Sequence, residues 1–367
     1  MSRVPEPPRF YRPLNIGGLS LPGNLFLAPV AGYTDRAFRS LCIEQGANLC
    51  FTELVSAESI IRGRPDLKPL DDPGPVSVLL RRADNETAYG IQLFGAEAER
   101  MGQAASLLGP WKPALIDINA GCPVAKVVRT GAGAALTRDS ARLGRVVEAV
   151  VRASRGEIPV SVKIRSGWDS SSVNYRECAR IAVEAGAAMV SLHPRTRAQA
   201  YGGTSDWTQI ADLVSRLSVP VTGSGDLHSA ADARRMFRET GCAALMFARG
   251  ALGNPFIFGE TKSLLLGLDY EPPGPGERMA AALRHLERLA ADLGERRACV
   301  EMRKHFCAYT KACSTRPEPL HGDAAARPNP RTKVGLSGGA ALRNRLVHGE
   351  TIADFKQILS EAGLLPL

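Results

Sequence analysis

Val160-Ser161-Val162-Lys163-Ile164-Arg165 reads as a single strand, and its alternation decides what surrounds it. Successive side chains of a strand point to opposite faces. Val160, Val162 and Ile164 make one apolar face suited to packing on helices, so Ser161, Lys163 and Arg165 point into an enclosed interior. A lysine in such a place costs free energy unless something offsets its charge. It either pairs with a carboxylate of the sheet or holds a bound ligand. Seven further segments read as strands: Leu25–Val30, Leu49–Leu54, Tyr89–Phe94, Leu115–Asn119, Met189–His193, Val219–Gly223 and Ala243–Ala248. Strands that alternate with helical patterns call for a parallel α/β sheet. Eight such units over about 240 residues suit a closed (β/α)8 barrel, with a doubly wound open sheet as the alternative.

Between the strands lie amphipathic segments. Thr34 or Asp35 is placed to cap a helix that carries Phe38, Leu41 and Cys42 on one face and stops near Gly46. Leu143, Val146, Val147, Val150 and Val151 form another stripe. Ser229 with Asp232 makes an acidic capping box ahead of Met236 and Phe237. Arg62–Glu86 is longer and more polar than an ordinary connection; Asp71-Asp72-Pro73-Gly74 signals a turn there, and Val76–Leu80 suggests an extra hairpin. Pro272-Pro273-Gly274-Pro275-Gly276 marks a linker. Beyond it Met279, Leu283, Leu286, Leu289 and Leu293 have helical spacing, and Ser314–Pro330 reads as an exposed loop. The expected organisation is a barrel domain over 1–265 and a smaller helical domain over 277–367.

Of 367 residues, 44% are hydrophobic, enough for a sizeable core. No stretch approaches the roughly 18 apolar residues of a membrane span, and Met1–Pro13 shows no secretory signal. The eight cysteines form no Cys-x-x-Cys pair, which argues against a zinc ribbon or a ferredoxin-type cluster. Free thiols in a reducing cytoplasm, no metal and no obligate protein partner are expected. The formal charge is +9. Between Arg303 and Lys356 ten Lys or Arg face four Asp or Glu, an excess of six that accounts for most of that charge. A local basic segment of this kind points to a phosphate backbone.

Barrel active sites lie at the C-terminal ends of the strands. Gln92, Asn119, Lys163 with Arg165, His193 with Arg195, and Asp226 all fall at or just after a strand end. His193 is either a hydrogen-bonded structural histidine or a donor to a cofactor or substrate oxygen. Gly223-Ser224-Gly225-Asp226 and Ala248-Arg249-Gly250 follow the seventh and eighth strands, where small residues let backbone N–H groups approach a phosphate. Cys42, Cys178 and Cys242 suit a core. Cys122 differs, because Gly121 and Pro123 set it on a turn. A thiol with a pKa near ~8.5 is mostly protonated at neutral pH and serves as a general acid, or as a nucleophile if a base activates it.

These stretches resemble the bacterial tRNA-dihydrouridine synthases. The resemblance rests on Leu27-Ala28-Pro29-Val30-Ala31-Gly32-Tyr33-Thr34-Asp35, Thr52-Glu53, Ile91-Gln92-Leu93-Phe94-Gly95 and Asp117-Ile118-Asn119-Ala120-Gly121-Cys122-Pro123-Val124-Ala125-Lys126-Val127. It continues through Val162-Lys163-Ile164-Arg165-Ser166-Gly167-Trp168, His193-Pro194-Arg195-Thr196-Arg197, Arg249-Gly250-Ala251, Met302-Arg303-Lys304-His305 and Leu342-Arg343-Asn344-Arg345. It implies an FMN-binding TIM barrel and a helical tRNA-binding domain. The reaction implied is reduction of the C5=C6 bond of uridines in tRNA, with NADPH as the electron donor. It further implies that Pro29, Val30, Ala31, Gln92, Asn119, Lys163 and His193 contact FMN and that Ser224, Gly225, Asp226, Ala248 and Arg249 hold its ribityl-phosphate end. Cys122 is then the catalytic acid, and Lys126, Arg195, Arg303, Lys304, Arg343 and Arg345 bind the RNA. Ser224 and Ala248 depart from the Asn and Gly usual in the family, and Cys313–Lys333 reads as an insertion. The alternative is an FMN-dependent TIM-barrel oxidoreductase acting on a small molecule such as a dihydropyrimidine, which has no use for a basic C-terminal segment.

Overall fold

The computed structural model describes residues 10–63, 75–312 and 339–365. The expected turn at Asp71–Gly74, the loop at Ser314–Pro330 and the insertion at Cys313–Lys333 lie outside the described residues. A short antiparallel hairpin, β1 (Leu14–Ile16) and β2 (Leu19–Leu21), comes first. Eight parallel strands follow: β3 (Leu25–Leu27), β4 (Leu49–Ser56), β5 (Tyr89–Phe94), β6 (Leu115–Ala120), β7 (Val160–Arg165), β8 (Met189–His193), β9 (Val221–Ser224) and β10 (Ala244–Phe247). They pair in sequence order, and β10 pairs with β3, so the sheet closes into a barrel and the open-sheet alternative falls.

Alternation sorts the strand side chains. Ile116 and Ile118 of β6, Val160, Val162 and Ile164 of β7, and Val190 and Leu192 of β8 pack outward with the surrounding helices in the larger core. Phe26, Leu49, Leu115, Met189, Ala244 and Met246 point inward and cluster with Ile16 and Leu21 of the hairpin. The hairpin therefore plugs the N-terminal end of the barrel with apolar side chains. Further along the same strands the inward positions turn polar. Asp117 lies opposite Ser161, Asn119 opposite Lys163, and Arg165 opposite His193. The barrel is thus dry at its base and polar toward its mouth.

The expected caps form. Asp35 Oδ1 accepts the Phe38 N–H to start the helix Arg36–Glu44, and Ser229 with Asp232 closes a capping box on Ala230–Thr240. Two expectations need correction. Val76–Leu80 belongs to a helix, Pro75–Leu80, not to a hairpin. A closed barrel offers no free strand edge for a hairpin to join, and proline suits the first turn of a helix. The linker is also shorter than expected, because the helix Pro275–Leu293 begins inside it, with Glu277 Oε2 accepting the Gly274 N–H at 2.8 Å.

The C-terminal helices Pro275–Leu293 and Glu295–Ala312 pack on the barrel through both charge and shape, and Gly339–Leu346 and Ile352–Glu361 pack on those two helices. Arg36 forms an ion pair with Asp292 at 2.9 Å, and Arg288 with Glu44 at 2.5 Å. Asp35 meets His285 at 3.2 Å and His305 at 3.6 Å. Burial, followed by the neighbouring His285, pushes His305 down to about 3, so it is neutral at pH 7. Gly253, at φ +68, lies where a Cβ would stand 2.3 Å from the backbone of Ala308 and Tyr309, so only glycine allows that approach.

Arg39 and Glu86 form an ion pair with side chains 1% and 0% exposed, Nε to Oε1 at 2.8 Å. Arg39 also donates to the carbonyls of Thr34 and Arg81, tying the segment after Leu80 to the first barrel helix. Breaking such a pair from one side leaves a buried charge uncompensated. Glu86→Ala is expected to lower the unfolding free energy by about 3–5 kcal/mol, and Arg39→Met combined with Glu86→Leu by much less. Urea denaturation reads both; an unchanged midpoint in Glu86→Ala would contradict this.

Candidate active site

The mouth is built from the last inward residue of each strand and the loop that follows. Cys122 sits two residues past β6, half-buried, on a loop tied down at several points. Asn119 Oδ1 accepts the Gly121 N–H at 3.2 Å and the Cys122 N–H at 2.9 Å. Arg165 Nε donates to Gly121 O at 2.8 Å, and the Cys122 carbonyl accepts the Ala134 N–H at 3.0 Å. Burial raises the thiol above its ordinary pKa, against a lesser opposing pull from the Val124 N–H, Arg165 and Lys163. The thiol is therefore protonated at neutral pH, which suits an acid and not a resting nucleophile.

Beneath the loop runs a line of buried hydrogen bonds. Asn119 Nδ2 donates to Gln92 Oε1 at 2.7 Å, Gln92 Nε2 donates to Asp117 Oδ2 at 2.6 Å, and Ser161 Oγ donates to Asp117 Oδ1 at 2.5 Å. The Gln92 backbone N–H donates to Thr52 Oγ1. Burial pushes Asp117 up to about 6, although Gln92, Ser161 and Lys163 favour its charged form. Asp117 was not among the expected site residues. The signal was present, since it stands two residues before Asn119 on the same strand and so shares its inward face.

Lys163 is half-buried, and its Nζ makes no hydrogen bond or ion pair among the described residues. Burial, and then Arg165, push it down to about 8, so it is mostly cationic at pH 7. His193 is 9% exposed. Burial, followed by Lys163, Arg165, Arg195 and Arg249, drives it down to about 2, so the imidazole is neutral.

Arg195 is 2% exposed, and four of its five N–H groups are engaged within the protein. It donates to the Gly202 and Gly203 carbonyls, lies 3.3 Å from His193 Nε2, and pairs with Asp226 at 2.7 Å. Asp226 also accepts from the Ser205 N–H and from Arg249. Although burial raises Asp226, Arg195 and the Ser205 N–H hold it below its ordinary value. Gly225, at φ +103, lies so close to Ser205 and His193 that a Cβ would stand 2.4 Å from Ser205 Oγ and 2.7 Å from His193 Cδ2. Ser224 is buried and donates its hydroxyl to Met246 O at 3.0 Å. Ala248 is not among the residues with positive φ, so alanine fits where a glycine was expected.

The family model described as Dihydrouridine synthase (Dus) matches residues 26–320. A probable tRNA-dihydrouridine synthase of Treponema pallidum is 46% identical over 360 residues, covering 96% of this chain and 96% of that one. One from Mycobacterium tuberculosis H37Rv is 39% identical, covering 94% and 84%. The tRNA-dihydrouridine synthase B of Xanthomonas campestris is 37% identical, covering 81% and 87%. This chain belongs to the dihydrouridine synthase family. Among solved structures, histamine dehydrogenase from Rhizobium sp. 4-9 has a similar fold at TM-score 0.52 and 16% identity, over 76% of this chain and 51% of that one. The chain thus spans about half the length of that enzyme, and the likeness is one of fold.

The structure gathers Asn119, Cys122, Lys163, His193 and the loops after β9 and β10 at one barrel end. Gln92 lies one layer deeper, fully buried, with both ends of its amide engaged. Pro29, Val30 and Ala31 form the turn after β3, where Thr34 Oγ1 accepts the Val30 N–H. Lys304 reaches the same turn from the helix Glu295–Ala312, with Nζ 5.6 Å from the Tyr33 ring centre. Lys126 is exposed beside Cys122. Arg303 donates to Gly349 O, and exposed Arg345 pairs with Glu361. Half-buried Arg343 has no side-chain partner among the described residues.

Because Asp117 titrates higher in the fold than its ordinary 3.8, its ionisation costs stability as pH rises from about 4 to about 6. Asp117→Asn is therefore expected to raise stability at pH 7 by on the order of 1–3 kcal/mol, with no gain at pH 4. Urea midpoints at the two pH values check this, and a loss at pH 7 with none at pH 4 would contradict it.

Proposed function

We propose that this chain reduces the C5=C6 bond of uridines in tRNA to dihydrouridine, with FMN, NADPH and Cys122 as proton donor. The observation that carries the reading is a protonated thiol on a pinned loop beside a cationic Lys163, without a hydrogen-bond or ion-pair partner among the described residues, at the mouth of a barrel.

The mouth fits FMN. Lys163, Arg165 and Arg249 bring positive charge that Asp226 does not cancel, and His193 is neutral. Pro29, Val30, Ala31, Asn119, Lys163 and His193 would line the flavin ring, with Gln92 bracing Asn119 from below. The backbone of Ser224, Gly225 and Asp226, with Ala248 and Arg249, would hold the phosphate; the Ser224 hydroxyl is already committed to Met246. When bound there and recharged by NADPH, FMN would supply a hydride for C6 of the uracil.

The remaining work falls to the chain. Hydride addition at C6 leaves negative charge at C5 beside the C4 carbonyl. Cys122 Sγ–H delivers a proton to C5, and the thiolate regains its proton from solvent. Lys163 favours charge build-up at the site and Asn119 fixes where the thiol stands. A uridine inside a folded RNA must first leave its stack. We assign residues 1–265 to the catalytic barrel and 277–367 to a helical domain that grips tRNA through its backbone, in the cytoplasm. Lys304 joins the two at the mouth. No helix among the described residues is long and apolar enough to cross a membrane.

Cys122→Ala is expected to retain flavin absorbance and lose dihydrouridine formation by at least about a hundredfold, the scale of a general acid. Wild-type turnover in that variant would remove the thiol from the mechanism. Arg343→Ala is expected to weaken tRNA binding more than Arg345→Ala, whose charge Glu361 already offsets, and to reduce the slope of log K against log salt by about one. Equal effects with an unchanged slope would exclude that surface.

A further inference from the structure

His193 and Arg195 leave β8 two residues apart, and their side chains meet at 3.3 Å between Nε2 and Nη1. A guanidinium has five N–H groups and nothing to accept with, so it can only donate. The imidazole Nε2 that faces it must therefore be the lone-pair nitrogen. In a neutral ring the proton then sits on Nδ1. We infer that Arg195 is a positioning residue that fixes the tautomer of His193, with the lone pair at Nε2 and the Nδ1–H directed away from the guanidinium, making the ring a hydrogen-bond donor at Nδ1.

The pair has little freedom to do otherwise. The Arg195 guanidinium is held on its other sides by the carbonyls of Gly202 and Gly203 and by Asp226 Oδ2, at 3.0, 2.6 and 2.7 Å. Asp226 is held in turn by the Ser205 N–H at 2.9 Å. Gly225 packs against the edge of the imidazole, where a Cβ would stand 3.1 Å from Nε2, so the ring is also confined from the β9 side. Nδ1 has no partner among the described residues and is not among the buried atoms left unsatisfied. The charged groups that face His193 are Lys163, Arg165, Arg195 and Arg249, all cationic, and each disfavours a second proton on the ring. Asp226, the nearby anion, spends its charge on Arg195 and Arg249.

The consequence for the reaction rests on the function proposed above. Cys122, Lys163 and His193 all carry protons of the kind general acids use. Burial and the surrounding cations remove His193 from that role, because a neutral imidazole is a far weaker acid than an imidazolium, and Arg195 sets which nitrogen carries its one proton. What remains is a fixed N–H donor for a carbonyl oxygen or ring nitrogen of whatever lies in the mouth. Arg195, expected from sequence to bind RNA, acts on the chemistry through its neighbour.

Nitrogen NMR of the flavin-loaded protein, with ¹⁵N-labelled histidine, separates the states directly. The chain has six histidines, and His193→Gln identifies the resonance. Wild-type His193 is expected to show an unprotonated Nε2 and a protonated Nδ1, without titrating between pH 5 and pH 8. Arg195→Met is expected to free the tautomer, so that an Nε2-protonated form appears in the spectrum at constant pH and dihydrouridine formation slows. Arg195→Lys, which still donates, is expected to keep the wild-type tautomer and guards against a fold lost in Arg195→Met. A protonated Nε2 in the wild type, or titration between pH 5 and pH 8, overturns the inference; so does an Arg195→Met spectrum identical to wild type. If the spectra behave as expected but none of the proteins forms dihydrouridine, the tautomer stands and the proposed reaction fails.

Discussion

An eight-stranded barrel admits only every second side chain of each strand to its interior, and the space there is small. That constraint orders the molecule along its axis. At the base the inward positions are Leu49, Leu115, Met189 and Ala244, sealed by Ile16 and Leu21 of the hairpin. One step up they are Asp117 and Ser161, and at the rim Asn119, Lys163 and His193. Most polar groups so enclosed find partners within the barrel, although Ser191 Oγ has none among the described residues. The line from Ser161 through Asp117, Gln92 and Asn119 to the Cys122 loop is the result. Asp117, at its buried end, accepts only, whereas the loop N–H groups at the other end donate only, and the two amides between are oriented by both.

The electrostatics of the mouth follow from the same enclosure. Positive charge gathers from Lys163, Arg165, Arg195 and Arg249, while Cys122 and His193 are held neutral by burial and, for His193, by those cations. Asp226 divides its carboxylate between two arginines. The charge and the protonated thiol of this mouth are those that the proposed flavin and proton-donor roles require. The helical part is joined to the same rim: Asp35 caps the first barrel helix and meets His285 and His305, and Lys304 reaches the turn after β3.

Much of this was readable in the sequence, where the signal is local and repeats. All eight barrel strands form where the alternation put them, and Tyr89–Phe94, Val160–Arg165 and Met189–His193 match to the residue. The hairpin was missed because strands of three residues are too short to show a period, although Gly17-Gly18 between them is a hairpin turn signal. Val76–Leu80 was misread because a short apolar run does not distinguish a strand from a helix turn. Arg195 was placed on the RNA because a strand-end arginine looks the same whether it faces solvent or folds inward to a histidine. The meeting of Asp35 with His285 and His305 joins residues some 250 apart and had no local signal.

The account turns on hydride arriving at C6 of a tRNA uridine and a proton at C5. Its most direct test is turnover in deuterium oxide, using the flavin-loaded protein, NADPH and tRNA that lacks the modification, with the nucleosides then resolved by mass spectrometry and proton NMR. Because the N–H groups of a reduced flavin exchange with solvent, the account predicts dihydrouridine carrying deuterium at both C5 and C6, and no dihydrouridine from the Cys122→Ala protein. Ordinary hydrogen at C5, or wild-type dihydrouridine formation by Cys122→Ala, would contradict it.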